Sequence, residues 1–277
     1  MATPELIDLL ERLWTDFKQI NPQAAAIHQM LEDRGETVVN DHIAFRTFAD
    51  PRIGIEILER PFVKNGYVAK DEYRFDVKKL VARHYEHPDP QLPKIFISEL
   101  MVRDFSCDLQ RVVNDLIEEV PAEMLDDPFL CASGRLWNLP IKTYEALTLE
   151  SEYAGWMAAF GFRANHFTVL VNALKTVSSL AELNQLVREL GFPLNEEGGE
   201  IKGTPEDRLE QSSTLASQVD VEFSDGVLRI PGCYYEFARR YEMPDGTLFS
   251  GFVPKSADKI FHSTDRRPGD QNDPPSS

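Results

Sequence analysis

Three short segments constrain this chain more than anything else in it. Asp41–Phe48 (DHIAFRTF), Asn165–Asn172 (NHFTVLVN) and Tyr234–Tyr241 (YYEFARRY) are dense in the aromatic and branched residues that favour strands, yet each carries a side chain able to bind a metal. Side chains alternate along a strand, so residues two apart share a face. That puts His42 with Ala44 and Arg46, His166 with Thr168 and Leu170, and Glu236 with Ala238 and Arg240. If the three strands line one curved sheet, His42, His166 and Glu236 converge on one point. Ile43, Phe45, Phe167, Val169, Tyr235 and Phe237 then pack behind them.

Two neutral imidazoles and one carboxylate hold a divalent metal and leave positions free for other ligands, the facial arrangement of non-haem Fe(II) oxygenases. Mn(II), Co(II) and Zn(II) suit the same donors. Spacing alone does not select this triad from the six histidines. A histidine on an apolar strand is more commonly a core residue satisfied by one hydrogen bond, and Glu236 could simply pair with Arg239 or Arg240.

The rest of the chain reads as α+β. Leu6, Leu9, Leu10, Leu13, Trp14, Phe17 and Ile20 recur at helical spacing after a Thr3-Pro4 start, and a second helix is expected from Pro22 to about Glu32. Residues 67–75, 78–85 and 95–102 read as strands, and 53–58 as either helix or strand. Helices are expected at 107–119, 143–160 and 179–190, the first two forming a helical insert in the middle of the chain. Strands follow at 219–223, 226–230 and 234–241. The segments HIAFRTF and HFTVLVN loosely echo each other, each beginning with histidine after a helical stretch. One domain over 1–264, with helices to about residue 36, and a disordered tail over 265–277 are expected.

Composition narrows the partners. A net charge of −17 repels nucleic acid and anionic membranes, which excludes both as main partners. No apolar run approaches the roughly 20 residues that a membrane helix needs. The start of the chain lacks a basic stretch leading into an apolar block, so no secretory signal is expected. Cys107, Cys131 and Cys233 are odd in number and show no CxxC spacing, as expected of reduced thiols in a cytoplasmic protein.

Longer stretches sharpen the reading. NDHIAFRTF, ANHFTVLVN and YYEFARRY, with QSST (Gln211–Thr214) and FVPKSADKIFHST (Phe252–Thr264), resemble the DUF1338 family in sequence and order, across nearly the whole chain except the tail. That family includes 2-oxoadipate dioxygenase/decarboxylase, also called hydroxyglutarate synthase, and is structurally similar to the vicinal oxygen chelate enzymes, whose curved sheets cup a metal. The resemblance implies that His42, His166 and Glu236 bind Fe(II), and that Arg46 holds a substrate carboxylate. The position of Arg46 on the His42 face supports that role independently, because a guanidinium grips a carboxylate through two parallel hydrogen bonds. Ser256 is expected to add a hydrogen bond near the bound acid. The implied reaction takes a 2-oxo acid and dioxygen, 2-oxoadipate by the resemblance, to 2-hydroxyglutarate and CO2, as in lysine catabolism. The rival reading is a non-oxidative isomerase or lyase on the same fold. Many family members are longer than 277 residues, so loops that shape the substrate pocket are expected to differ here.

Other candidates read as structural. His84 and His87 are expected on a solvated loop, His28 at the surface and His262 in a capping or surface role. Arg163, Arg239 and Arg240 are expected to form ion pairs with the many acidic residues. Trp14, Phe17, Trp137 and Trp156 are expected in the core.

Overall fold

The computed structural model describes residues 2–266. Helix α1 (Pro4–Ile20) begins where the Thr3 hydroxyl accepts the Leu6 amide N–H, and it buries the Leu6, Leu9, Leu13 and Phe17 stripe. Helix α2 (Pro22–Asp33) follows at once. Strand β1 (Asn40–Phe48) then leads through two short helices, α3 (Ile55–Leu58) and α4 (Arg60–Lys64), into β2 (Val68–Phe75), β3 (Leu80–Glu86) and β4 (Lys94–Leu100). The helical insert comprises α5 (Cys107–Glu118), α6 (Ile141–Glu150) and α7 (Glu152–Phe160). The second half runs β5 (Ala164–Leu170), α8 (Leu180–Glu189), β6 (Leu209–Ser213), β7 (Gln218–Phe223), β8 (Gly226–Pro231), β9 (Tyr234–Arg240) and α9 (Pro254–Ile260).

Seven strands form one curled sheet in the order β2-β3-β4-β1-β5-β9-β6. Strand β1 pairs in parallel with β4 and antiparallel with β5, and β5 pairs in parallel with β9. The three segments singled out in the sequence are therefore adjacent central strands. Their outward rings are buried as expected: Phe17 of α1 lies 4.9 Å from Phe167 and 6.1 Å from Tyr235, and Phe45 lies 5.6 Å from Phe62 of α4. Burying a side chain of this size stabilises by about 1.5–3 kcal/mol, so these contacts clamp the central strands from behind and leave the opposite face free for the site.

Several expectations are refined. The single helix expected over 143–160 is two, because Ser151 is extended (φ −153°, ψ 112°) and its side chain caps α7 through the Ala154 amide. Residues 53–58 contribute helix. Strands β7 and β8 do not continue into β9 but form a separate two-stranded ribbon, and β6, read only as the QSST segment, supplies the edge strand beside β9. His84 is not on a solvated loop: it lies within β3 and is fully buried. Of the expected tail, Asp265 and Arg266 are part of the folded chain, with Asp265 accepting a hydrogen bond from His262; residues 267–277 lie outside the described residues.

Candidate metal centre

The sheet brings His42 of β1, His166 of β5 and Glu236 of β9 together from three neighbouring strands. One donor atom from each lies within 4.8 Å of the others, and all three side chains are buried. Among the described residues no other group of three such side chains is placed to hold a metal. His42 Nε2 is 3.2 Å from His166 Nε2 and 3.7 Å from Glu236 Oε1, and His166 Nε2 is 3.2 Å from Glu236 Oε2.

The outer nitrogens explain why the inner ones face each other. His42 Nδ1 donates to Asp41 Oδ1 at 2.8 Å, and His166 Nδ1 donates to Asn165 Oδ1 at 3.1 Å. Each histidine is thus oriented by the residue before it, which fixes the tautomer that leaves Nε2 as an electron-pair donor. Two imidazole lone pairs and a carboxylate then point into one buried space, an arrangement that calls for a cation. The donor set fits a divalent metal.

Electrostatics support the same protonation states. Burial depresses the His166 pKa well below its ordinary 6.5, with His42 and Arg46 adding to the effect, so the ring is neutral. Burial alone would raise the Asp41 carboxyl, but the Arg240 charge and hydrogen bonds from Arg240 and His42 hold it well below 3.8. Arg240 grips Asp41 with Nε at 2.6 Å and Nη2 at 2.8 Å. Its Nη1 donates to the carbonyls of Phe249 and Gly251, which tethers the loop leading to Phe252. Arg240 is therefore an ion-pair partner, as expected, and a supporter of His42. Breaking such a buried pair costs about 3–5 kcal/mol. Burial raises the Glu236 pKa against the lowering effects of His42 and of Gln211, whose Nε2 donates to Oε1 at 2.6 Å.

The centre opens into a small chamber of about 20 Å³ walled by Phe96, Tyr234, Phe252 and Phe261. Tyr234 stacks on His166 at 4.5 Å, and Phe252 packs edge-on to His42 at 4.8 Å. Arg46 borders an adjoining cavity of about 310 Å³, and Phe261 belongs to the walls of both. The guanidinium is 3% exposed, sits over the rings of Tyr153 and Trp156 at 4.9 Å, and donates from Nη2 to the Thr264 hydroxyl. Its Nε has no partner, and among the described residues no carboxylate reaches it within salt-bridge distance. Ser256 is buried in α9 and packs against Gly203, beside Ala257, which lines the chamber.

Comparison with known proteins gives this geometry a family. The model of the 2-oxoadipate dioxygenase/decarboxylase family matches residues 2–126 and 132–247. The chain belongs to that family. The chloroplastic 2-oxoadipate dioxygenase/decarboxylase of Arabidopsis thaliana is 34% identical over 92% of this chain and 76% of its own. The hydroxyglutarate synthase of Oryza sativa, solved in complex with 2-oxoadipate, is 34% identical with a TM-score of 0.87, covering 93% of this chain and 91% of that one. A Shewanella frigidimarina protein described as a hydrolase is 48% identical with a TM-score of 0.86, over 89% of this chain and 97% of that one. At 22% identity and a TM-score of 0.73, a glyoxalase superfamily protein of Ralstonia eutropha shares the fold alone, over 88% of this chain and 84% of that one. The fold is α+β of the vicinal oxygen chelate kind, as the resemblance implied.

Sequence reasoning missed the supporting residues Asp41, Asn165, Gln211 and Phe252. A signal for two of them was present: both histidines follow a short polar residue, as Asp41-His42 and Asn165-His166, inside otherwise apolar strands.

Proposed function

We propose that this protein is an Fe(II)-dependent dioxygenase/decarboxylase that converts 2-oxoadipate and dioxygen to 2-hydroxyglutarate and CO2. The equation balances with one dioxygen consumed for each CO2 released. The observation that carries the reading is the buried Arg46 guanidinium, with no carboxylate paired to it, beside a His-His-Glu cluster: a fixed cation for a carboxylate next to donors for a metal. Membership of the family, and a relative solved with 2-oxoadipate, support the same substrate.

His42, His166 and Glu236 would hold the metal, and Fe(II), when bound, supplies the redox chemistry that activates dioxygen and engages the 2-oxo acid. The chain's own groups do the rest. Asp41 and Asn165 hold the two imidazoles in the donor tautomer, and Gln211 steadies the carboxylate of Glu236. Arg46 takes a substrate carboxylate in a two-point grip and fixes the approach of the carbon chain. Ser256 adds a hydrogen bond near the acid. Phe96, Phe252 and Phe261 exclude water from the reacting carbons. A cytoplasmic setting is part of the reading, supported by three unpaired cysteines, and so is a place in lysine catabolism; the Arabidopsis and rice relatives are named as plastid proteins. No helix of the described residues is long and apolar enough to cross a membrane.

The decisive experiment follows oxygen uptake by anaerobically purified, Fe(II)-loaded protein given 2-oxoadipate, with CO2 and 2-hydroxyglutarate measured together. Equimolar uptake and release are expected. Metal bound at the triad, but no oxygen consumed with any of a panel of 2-oxo acids, would replace this reading with the non-oxidative isomerase or lyase.

A further inference from the structure

The main sheet is built from two halves related by an approximate twofold axis, and the site breaks that relation at one position. In the first half β1 pairs in parallel with β4, and β4 antiparallel with β3. In the second, β5 pairs in parallel with β9, and β9 antiparallel with β6. Strands β1 and β5 meet antiparallel at the centre. There Ile43 faces Phe167, His42 faces Thr168 and Ala44 faces His166, so the axis passes through the Ile43–Phe167 pair.

The relation carries Asp41-His42 onto Asn165-His166, and in both halves the first residue of the pair binds the Nδ1 of the second. It also relates the partner strands. Glu236 pairs with Thr168, two residues beyond His166; in the other half the residue paired two beyond His42, opposite Ala44, is Phe96. Three of the four symmetry-related corners are thus His42, His166 and Glu236, and the fourth is a phenylalanine. Phe96 is 5% exposed, lines the same chamber as the triad and packs on Phe252 at 4.9 Å. A phenyl ring offers no lone pair to a metal.

We propose that Phe96 occupies a fourth ligand position and, by leaving it without a donor, keeps the centre at three protein ligands with an apolar open side for the reactants. This inference rests on the triad holding a metal. It makes Phe96 a determinant of reaction class: a carboxylate in its place would take one of the positions left for the reactants.

The test is Phe96→Glu, with Phe96→Leu as the apolar control. Mn(II) affinity is measured by competition with a chromophoric chelator, and metal-bound water by proton relaxation of the Mn(II)-loaded protein. Phe96→Glu should bind Mn(II) roughly tenfold more tightly or better, as expected for an added carboxylate ligand. It should also lose one exchangeable water and most oxygen-consuming turnover. Phe96→Leu should keep the affinity and the water count of the parent. A folded Phe96→Glu with unchanged affinity and water count would overturn the proposal. If that variant fails to fold, Phe96→His is read by the same two measurements with the same criteria. Failure of the parent protein to bind Mn(II), or undiminished binding by His166→Ala, would instead remove the metal reading itself.

Discussion

At the scale of single residues, the role proposed for Arg46 would work against stability. Its charge is fully buried, its Nε is unpaired, and burial lowers its pKa from 12.5. A buried charge with no carboxylate paired to it is a liability that a folded core alone would not retain. Arg46→Met, close in length and apolar, should therefore leave the protein as stable or up to about 2 kcal/mol more stable. It should raise KM for 2-oxoadipate by roughly tenfold or more, as expected on loss of a charge-assisted bidentate contact. Urea denaturation beside steady-state oxygen uptake checks both; loss of stability with unchanged KM would make Arg46 a structural residue. Glu152, which lines the Arg46 cavity, gives a pH signature. Burial and the neighbouring Asp265 carboxylate raise its pKa from 4.5 to about 7, against the lowering effects of Arg266 and Arg46. Between those values the folded protein keeps a proton that the unfolded chain has released, so stability falls as pH rises through this window and stays lower above it. Glu152→Gln should remove that slope, gaining roughly 1–2 kcal/mol at pH 8 once screening of a part-exposed group is allowed for, and nothing at pH 4. Parallel stability–pH curves for the two proteins would contradict this.

At the scale of elements, the junction between α7 and β5 decides where His166 points. Gly161 ends α7 with φ 67° and ψ −144°, and a Cβ there would meet the Gly134 carbonyl oxygen at 2.3 Å and Arg135 Cα at 2.5 Å. The close approach is the small bridge between Gly134 and Phe162, which aligns the chain just before the strand begins. Gly161→Ala should cost about 3 kcal/mol or more, combining an unfavourable backbone with overpacking against main chain. It should also weaken metal binding, because β5 carries both His166 and its Asn165 support; chemical denaturation and metal titration of the variant test the two effects. The break at Ser151 works similarly: helical periodicity runs on through Glu150 and Glu152, yet the serine side chain offers the Ala154 amide an alternative partner and starts a new helix. The new axis sets Tyr153 and Trp156 around the Arg46 guanidinium.

At the scale of the whole molecule, the His42–His166–Glu236 cluster lies where the two halves of the sheet meet, so a metal bound there would tie together β1, β5 and β9. Stripping metal with a chelator should lower the Tm by roughly 5–10 °C at a free metal concentration near a hundred times Kd. His166→Ala should show no metal-dependent shift in scanning calorimetry. An equal shift in that variant would place the metal elsewhere. The amino-acid sequence by itself determined the elements that carry the site: period-two runs of aromatic and branched residues define β1, β5 and β9, the Leu6-to-Phe17 stripe and its Thr3 cap define α1, and alternation puts Arg46 on the His42 face. Those are local signals, set by covalent geometry and side-chain chemistry within a few residues. Only the tertiary structure decided what those faces meet. The parallel pairing of β5 with β9 brings Glu236 to His166, β7 and β8 leave the main sheet as a ribbon, and His84 is buried rather than solvated. Arg240 finds Asp41 two strands away, and Phe96 lands opposite Ala44. Strand order and register come from which apolar faces can be buried together across the whole chain, and a window of residues carries no record of its distant partners.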